Sequence, residues 1–99
     1  MPKFLSNWEL DHSKVPVDPK ERAAGWSMLM KVVHQDIKNG LITDWGAFAG
    51  GDKGYAVMEG SAAEIYTVIQ QYIPFVQFEL HPLVSANEVD EIIQKMQNV

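Results

Sequence analysis

The order of helix starts and strand-like segments is the feature that most constrains what this chain can fold into. Three helix starts are marked by capping residues, at Asp18-Pro19, Ser61 and Ser85. In each case a glutamate follows three residues after the capping side chain, as in a capping box. Asn87 with Asp90 is an alternative start for the third helix. The sequence therefore predicts three helices.

Apolar residues spaced by three and four predict which face each helix buries. The stripe of the first helix, with its tryptophan expected in the core, consists of Trp26, Leu29, Met30, Val33 and Ile37. The stripe of the second helix consists of Ala62, Ile65, Tyr66, Ile69 and Ile73. The third helix has a narrower stripe of Val89, Ile92, Ile93 and Met96. That last stripe needs cover, either from its own sheet or from a partner.

Strand-like segments fill the intervals between the helices, at residues 4–10, 41–48, 55–59 and 76–80, the last extending to 83. The glycine-rich residues 50–54 join the second and third strands as a hairpin. The resulting order is strand, helix, strand, strand, helix, strand, helix, which is the split β-α-β pattern. The sequence predicts one α+β domain over residues 1–99, a ferredoxin-like four-stranded antiparallel sheet with a C-terminal helix. Two helices would cover one sheet face and leave the other bare.

The bare face is where the candidate catalytic residues are expected. Side chains alternate across a strand, so Asn7, Glu9, Glu79 and His81 share the face away from the helices. One interpretation is an ordinary polar face that contacts water or a partner. The other is a proton-moving cluster enclosed in a dimer, in which two carboxylates and a histidine shift each other's pKa values.

A cleft between helix and sheet is the predicted place for a ligand. Trp8 points toward the helices by the same alternation, and His34 lies beside the stripe of the first helix. Together with Tyr66 they are the candidate ligand-binding residues. The histidines His12, His34 and His81 show no metal-ligand spacing, so no metal site is predicted. No cofactor is predicted either.

Composition and charge exclude several classes of function. The formal net charge is −5 and the eight lysines and arginines form no cluster, which disfavours binding to nucleic acids or anionic membranes. The chain has no cysteine, which excludes disulfides and thiolate chemistry. It has no signal-peptide pattern and no apolar run of the roughly 20 residues that a membrane span needs. A cytoplasmic location is the expectation.

Residues 54–83 carry a resemblance to a known superfamily. The run Tyr55-Ala56-Val57-Met58-Glu59-Gly60-Ser61 passes from an aromatic strand through an acidic turn into a helix of small residues. After that helix, Pro74-Phe75 precedes an alternating strand. This pattern resembles the dimeric α/β-barrel superfamily, and most of all its muconolactone isomerase-like branch. The resemblance implies a homodimer whose sheets pack into a barrel, with small hydrophobic or carboxylate ligands in its clefts.

The haem-degrading branch of the same superfamily matches less well. Asn7 looks like its first-strand asparagine, but Glu59 or Gly60 stands where a tryptophan is expected. The histidine that this branch has in its second helix has no counterpart here, and the aromatic candidates for its place are Tyr66 and Tyr72. Three functions stay open: a homodimeric small-molecule-binding protein, including an isomerase-like enzyme for a small organic acid; a cofactor-free or haem-degrading monooxygenase; and a non-catalytic interaction module.

Overall fold

Four strands and three helices make up the chain in a computed structural model, which describes residues 2–98. The elements are β1 (Lys3–Leu10), a 3₁₀ turn (His12–Lys14), α1 (Pro19–Lys38), β2 (Ile42–Ala47), β3 (Lys53–Glu59), α2 (Ala62–Gln70), β4 (Val76–Leu83) and α3 (Ala86–Gln97). The helix starts follow the predicted caps. Asp18 accepts the backbone N–H of Glu21, and Ser61 and Ser85 each form a complete capping box.

The sheet has the strand order β2-β3-β1-β4, with every neighbouring pair antiparallel. This is the order of the ferredoxin-like fold, so the predicted α+β class is confirmed. On the central strand β1, Ser6 lies opposite Ala56 on one side and Leu80 on the other. Its buried hydroxyl donates to the carbonyl oxygen of Ala56 at 3.1 Å, so no polar atom is left without a partner there.

The hydrophobic core lies between the sheet and helices α1 and α2. It contains Trp8 from β1, Met58 from β3, Val33 from α1 and Ile65 from α2. Met58 and Ile65 are among the most deeply buried side chains in the described chain. Among residues 2–98, no helix packs on the opposite sheet face, as the order of elements predicted.

Two of the predicted helix stripes need correction. In α1 the fully buried residues are Val33 and Asp36, while the expected core residue Trp26 is 45% exposed and Ile37 is 42% exposed. The burial of Asp36 shows that α1 is rotated toward the face that carries residue 36. In α2, Tyr66 belongs to the predicted stripe but is exposed, and Val68 is outside that stripe but is buried. The inward face of α2 consists of Ile65, Val68 and Ile69.

Helix α3 stands apart from the rest of the chain. All twelve of its residues are exposed, and none of them is half-buried. The protein is accordingly elongated, with extents of 61, 26 and 18 Å along its principal axes. The stripe of α3 is therefore not covered by the sheet of its own chain, which was one of the two covers that the sequence left open.

Candidate functional site

A cavity of about 230 Å³ lies between α1 and the sheet. We call it the tryptophan cavity and define it by Trp8, Trp26, Leu29, Trp45, Tyr72 and Phe78. It exists because α1 is 20 residues long, but only its second half packs tightly on the sheet. From Pro19 to Met28 almost every residue is exposed, so the first half of α1 stands off the sheet and leaves a gap.

Two stacked tryptophans form one wall of this cavity. The rings of Trp8 and Trp45 lie 5.4 Å apart with an interplanar angle of 10°. Their strands are not neighbours, because β3 runs between them. The indole N–H of Trp8 donates to the carbonyl oxygen of Tyr55 at 3.1 Å, which fixes the orientation of the ring.

Small residues on β3 allow the two tryptophans to meet. Trp8 is paired with Gly54, and Trp45 is paired with Ala56. A Cβ atom at Gly54 would collide with the ring of Trp8 and with the backbone of Gly46. Glycine at this position is therefore required for the ring of Trp8 to lie across β3.

A buried polar cluster closes another side of the tryptophan cavity. The Tyr72 hydroxyl donates to Asp36 Oδ2 at 2.7 Å, and Gln71 Nε2 donates to both carboxyl oxygens of Asp36 at 3.3 Å. The ring of Tyr72 also packs edge-to-face on Phe78, with 5.5 Å between centroids. These contacts tie α1 to the turn that follows α2.

Burial and the hydrogen bond to Asp36 raise the pKa of Tyr72 above its ordinary value of 10.0. The hydroxyl therefore keeps its proton at neutral pH, and that proton is already donated to Asp36. Tyr72 presents its ring to the cavity and is not available there as a base. Within the described chain, no charged side chain lines the cavity.

A second depression, the α1 groove, adjoins the tryptophan cavity and lies between α1, residues 10–16 and the turn after α2. Its volume is about 350 Å³, and we define it by Lys14, Arg22, Trp26, Met28, Val32 and Phe75. Leu10, Trp26 and Leu29 line both the groove and the cavity. The Arg22 guanidinium lies 5.6 Å from the centre of the Trp26 ring, so a cation covers the outer face of this shared wall.

The predicted catalytic candidates do share the bare sheet face. Asn7 is paired with Glu79, and His81 Nε2 lies 3.6 Å from Glu79 Oε1. Glu9 is on the same face but interacts with β3, since its carboxylate lies 3.9 Å from the Lys53 ammonium group. The side chains of His81 and Glu79 are 50% and 74% exposed, so both residues lie on a solvated surface in this chain.

The predicted ligand-binding residues are not brought together. Trp8 lines the tryptophan cavity, whereas His34 and Tyr66 are exposed and lie outside its lining. Each follows a buried residue in its helix, Val33 and Ile65 respectively, and is thereby turned toward water. His12 pairs with Asp52 at the surface.

Asp36 was not among the residues predicted from the sequence, and Tyr72 was named there only as an aromatic candidate of the haem-degrading branch. A signal for Asp36 does exist, since Leu29, Val33 and Asp36 are spaced by four and three residues and share a helix face. Between residues 2 and 98, no group of three or more His, Cys, Asp or Glu side chains is arranged to hold a metal ion. No described helix is both long and apolar enough to cross a membrane.

Comparison with known proteins supplies a family without an activity. Residues 2–97 match the family described as a domain of unknown function, DUF3303. Because the match covers almost the whole chain, the protein belongs to this family. No curated protein matches the sequence.

Proposed function

We propose that this member of the DUF3303 family binds a small, neutral, ring-shaped organic molecule in the tryptophan cavity. The observation that carries the proposal is the cavity itself, an apolar space of about 230 Å³ with stacked indole rings as one wall. Ligand pockets are mostly apolar and largely preformed, with few polar groups. This one has that composition.

The size of the cavity limits the ligand. A cavity of roughly 150 Å³ lined by aliphatic and aromatic groups binds benzene, and pockets for drug-sized ligands begin at about 300 Å³. At about 230 Å³ the tryptophan cavity suits one ring or two fused rings. A haem is larger than a drug-sized ligand, so haem degradation would need α1 to move away from the sheet.

The charge of the lining also limits the ligand. A carboxylate taken out of water needs a cation or several donors, and leaving it unpaired is very costly. The described lining offers no Lys, Arg or His, and the Tyr72 hydroxyl is already bonded to Asp36. We therefore favour a neutral ligand over the small organic acid that the resemblance implied.

An isomerase-like enzyme of the muconolactone isomerase-like kind is the alternative function. Such an enzyme needs a general base within hydrogen-bond reach of its substrate. Glu79 and His81 lie on the opposite side of the sheet from the cavity, and Tyr72 keeps its proton. The cavity is therefore better suited to binding than to proton transfer.

Titration with naphthalene, followed by NMR of the backbone amides, tests the proposal. We expect saturable shifts at residues around Trp8, Trp45 and Tyr72. Ala47 lines the cavity at the end of β2, so Ala47→Phe should fill the mouth and weaken binding at least about tenfold. The matched control is Ala49→Phe, two residues further in the exposed turn, which should bind normally.

Two further outcomes separate the alternatives. 2-Naphthoate has the same rings with an added carboxylate, and we expect it to bind at least about tenfold more weakly than naphthalene. Tighter binding of the acid would favour the organic-acid hypothesis. Absence of any saturable naphthalene binding, or equal binding in Ala47→Phe, would contradict the proposed function.

A further inference from the structure

The exposed stripe of α3 has the spacing of a helix that binds in a groove. Val89, Ile92, Ile93 and Met96 stand at positions i, i+3, i+4 and i+7. They are 43%, 49%, 45% and 71% exposed. A helix of 12 residues gains little stability in water without packing, so this stripe calls for an apolar surface.

The α1 groove is the surface whose chemistry suits α3. Trp26, Met28 and Phe75 give it exposed apolar walls, and Lys14 and Arg22 place two cations in its lining. Helix α3 carries Asp90 and Glu91 beside its stripe, in addition to the capping Glu88. If α3 binds in the groove, its apolar stripe contacts the apolar walls, and its acidic side chains lie near the two cations. Among the described residues that line the groove, Asp11 is the one acidic residue.

The helix cannot reach the groove of its own chain. The groove lies where β1 ends and β4 begins, at the paired residues Leu10 and Val76. Helix α3 starts at the other end of β4, with only two residues between Leu83 and Ala86. The eight residues of β4 span roughly 23 Å at about 3.3 Å per residue. A helix of 12 residues is only about 18 Å long, and α1 and α2 already cover the sheet between the two ends.

We propose that α3 of one copy lies in the α1 groove of a second copy, and that the exchange is reciprocal. A two-fold axis then uses each helix and each groove once, so the assembly closes as a dimer. The bare sheet face needs a partner less than the stripe of α3 does, because its charged side chains are paired within the same chain. Lys3 pairs with Glu59 at 3.2 Å, and Glu9 lies 3.9 Å from Lys53. Dimerisation through α3 is expected without any ligand in the tryptophan cavity, so it can be tested separately from the proposed function.

Sedimentation of the full chain with paired variants tests which surface holds the dimer. We expect the unmodified chain to be dimeric at tens of micromolar. The double change Ile92→Asp/Ile93→Asp should raise the dissociation constant at least about 100-fold without lowering the thermal midpoint of the monomer. The control Asn7→Arg, on the bare sheet face, should stay dimeric.

Cysteine cross-linking tests contact between α3 and the groove directly, because the natural chain has no cysteine. Met28→Cys and Met96→Cys chains, mixed and oxidised, should form a disulfide between unlike chains, identified by mass spectrometry of the linked peptides. Asn7→Cys mixed with Met96→Cys should form no such link.

Three results would overturn the proposal. The first is a monomer at tens of micromolar. The second is a dimer that survives Ile92→Asp/Ile93→Asp but is lost in Asn7→Arg, which would indicate sheet-to-sheet pairing. The third is a dimer in which Met96→Cys links to Asn7→Cys and not to Met28→Cys.

Discussion

Helices α2 and α3 begin with the same capping box, but α2 is packed in the core and α3 is exposed to solvent. In α2, Glu64 Oε1 accepts the Ser61 N–H at 3.0 Å, and Ser61 Oγ accepts the Glu64 N–H at 3.1 Å. In α3, Ser85 and Glu88 form the same two bonds at the same two distances. Yet α2 buries Ile65, whereas α3 buries nothing. A capping box decides where a helix begins, and the surface opposite its apolar stripe decides whether that helix stabilises the domain.

The largest expected difference between the two helices is the cost of removing a stripe residue. Ile65→Ala should lower the free energy of unfolding by about 2–5 kcal/mol, because Ile65 has 0% exposure and its loss leaves a cavity. Ile93→Ala should change it by less than about 0.5 kcal/mol in the monomer. Urea denaturation at low protein concentration, followed by tryptophan fluorescence, measures both. A comparable loss in Ile93→Ala would show that α3 packs on its own chain.

A smaller effect is expected at the buried polar cluster of Asp36, Gln71 and Tyr72, which we call the polar anchor. It joins α1 to the turn after α2, and the described part of α3 has no such contact. Tyr72→Phe leaves Asp36 with Gln71 as its donor and should cost about 1–3 kcal/mol, since the buried carboxyl group loses its shortest hydrogen bond. The control Tyr66→Phe removes a hydroxyl from the exposed side of α2 and should cost less than about 0.5 kcal/mol. Equal costs in the two variants would contradict a stabilising role for the anchor.

The same anchor predicts a pH dependence. The pKa of Tyr72 is higher in the folded chain than its ordinary value of 10.0. The unfolded chain therefore loses this proton first, and the contribution of Tyr72 to stability is complete below pH 10 and declines as the pH rises above it. Unfolding measured between pH 8 and pH 11 should show this decline, and Tyr72→Phe should reduce it. An unchanged slope in the variant would assign the decline to other groups.

The smallest expected effect is at the caps themselves. Ser61→Ala should lower the free energy of unfolding by about 1 kcal/mol, because α2 folds together with the core. Ser85→Ala should leave global unfolding unchanged and instead fray the first turn of α3, which hydrogen exchange of its amides measures. Equal shifts of the urea midpoint in the two variants would mean that both helices belong to one cooperative unit.

Acid titration sharpens this last comparison. The backbone hydrogen bond from Ser85 lowers the pKa of Glu88, and that from Ser61 likewise lowers the pKa of Glu64, each below the ordinary 4.5. The contribution of each cap is therefore present above pH 4.5 and is lost as the pH falls through the lower pKa of the folded chain. We expect the amides at the start of α3 to lose protection in this range before those of α2, where the core also holds the helix.

Much of the fold was predictable because its signals are local. Caps, helix periodicity and strand alternation each depend on a few neighbouring residues, and they correctly placed the helix starts and the inward face of β1. The rotation of α1 was missed because two overlapping stripes compete in its sequence. The hydrophobic one contains Trp26 and Ile37, and the buried one contains Asp36. A carboxyl group is accepted in the core only when distant donors, here Gln71 and Tyr72, satisfy it.

The candidate site was less predictable because it depends on register. Between Ile42 and Asp44 the pairing of β2 with β3 shifts at an irregularity. Ile42 and Trp45 are three residues apart and would point to opposite faces of a regular strand, yet both line the tryptophan cavity. No local pattern indicates such a bulge, so the stack of Trp45 on Trp8 was not foreseen. The homodimer, the cytoplasmic location and the absence of nucleic-acid partners stay predictions.

The wall shared by the tryptophan cavity and the α1 groove has a thermodynamic consequence. Leu10, Trp26 and Leu29 face both spaces, so a displacement of this wall that enlarges one of them changes the other. If a ring compound binds in the cavity and α3 of a second copy binds in the groove, as we propose, the two equilibria are linked, and linkage between binding equilibria is reciprocal. Whatever factor a bound ring compound imposes on self-association, self-association imposes on the affinity for that compound. A single titration of one equilibrium in the presence of the other therefore measures the coupling in both directions.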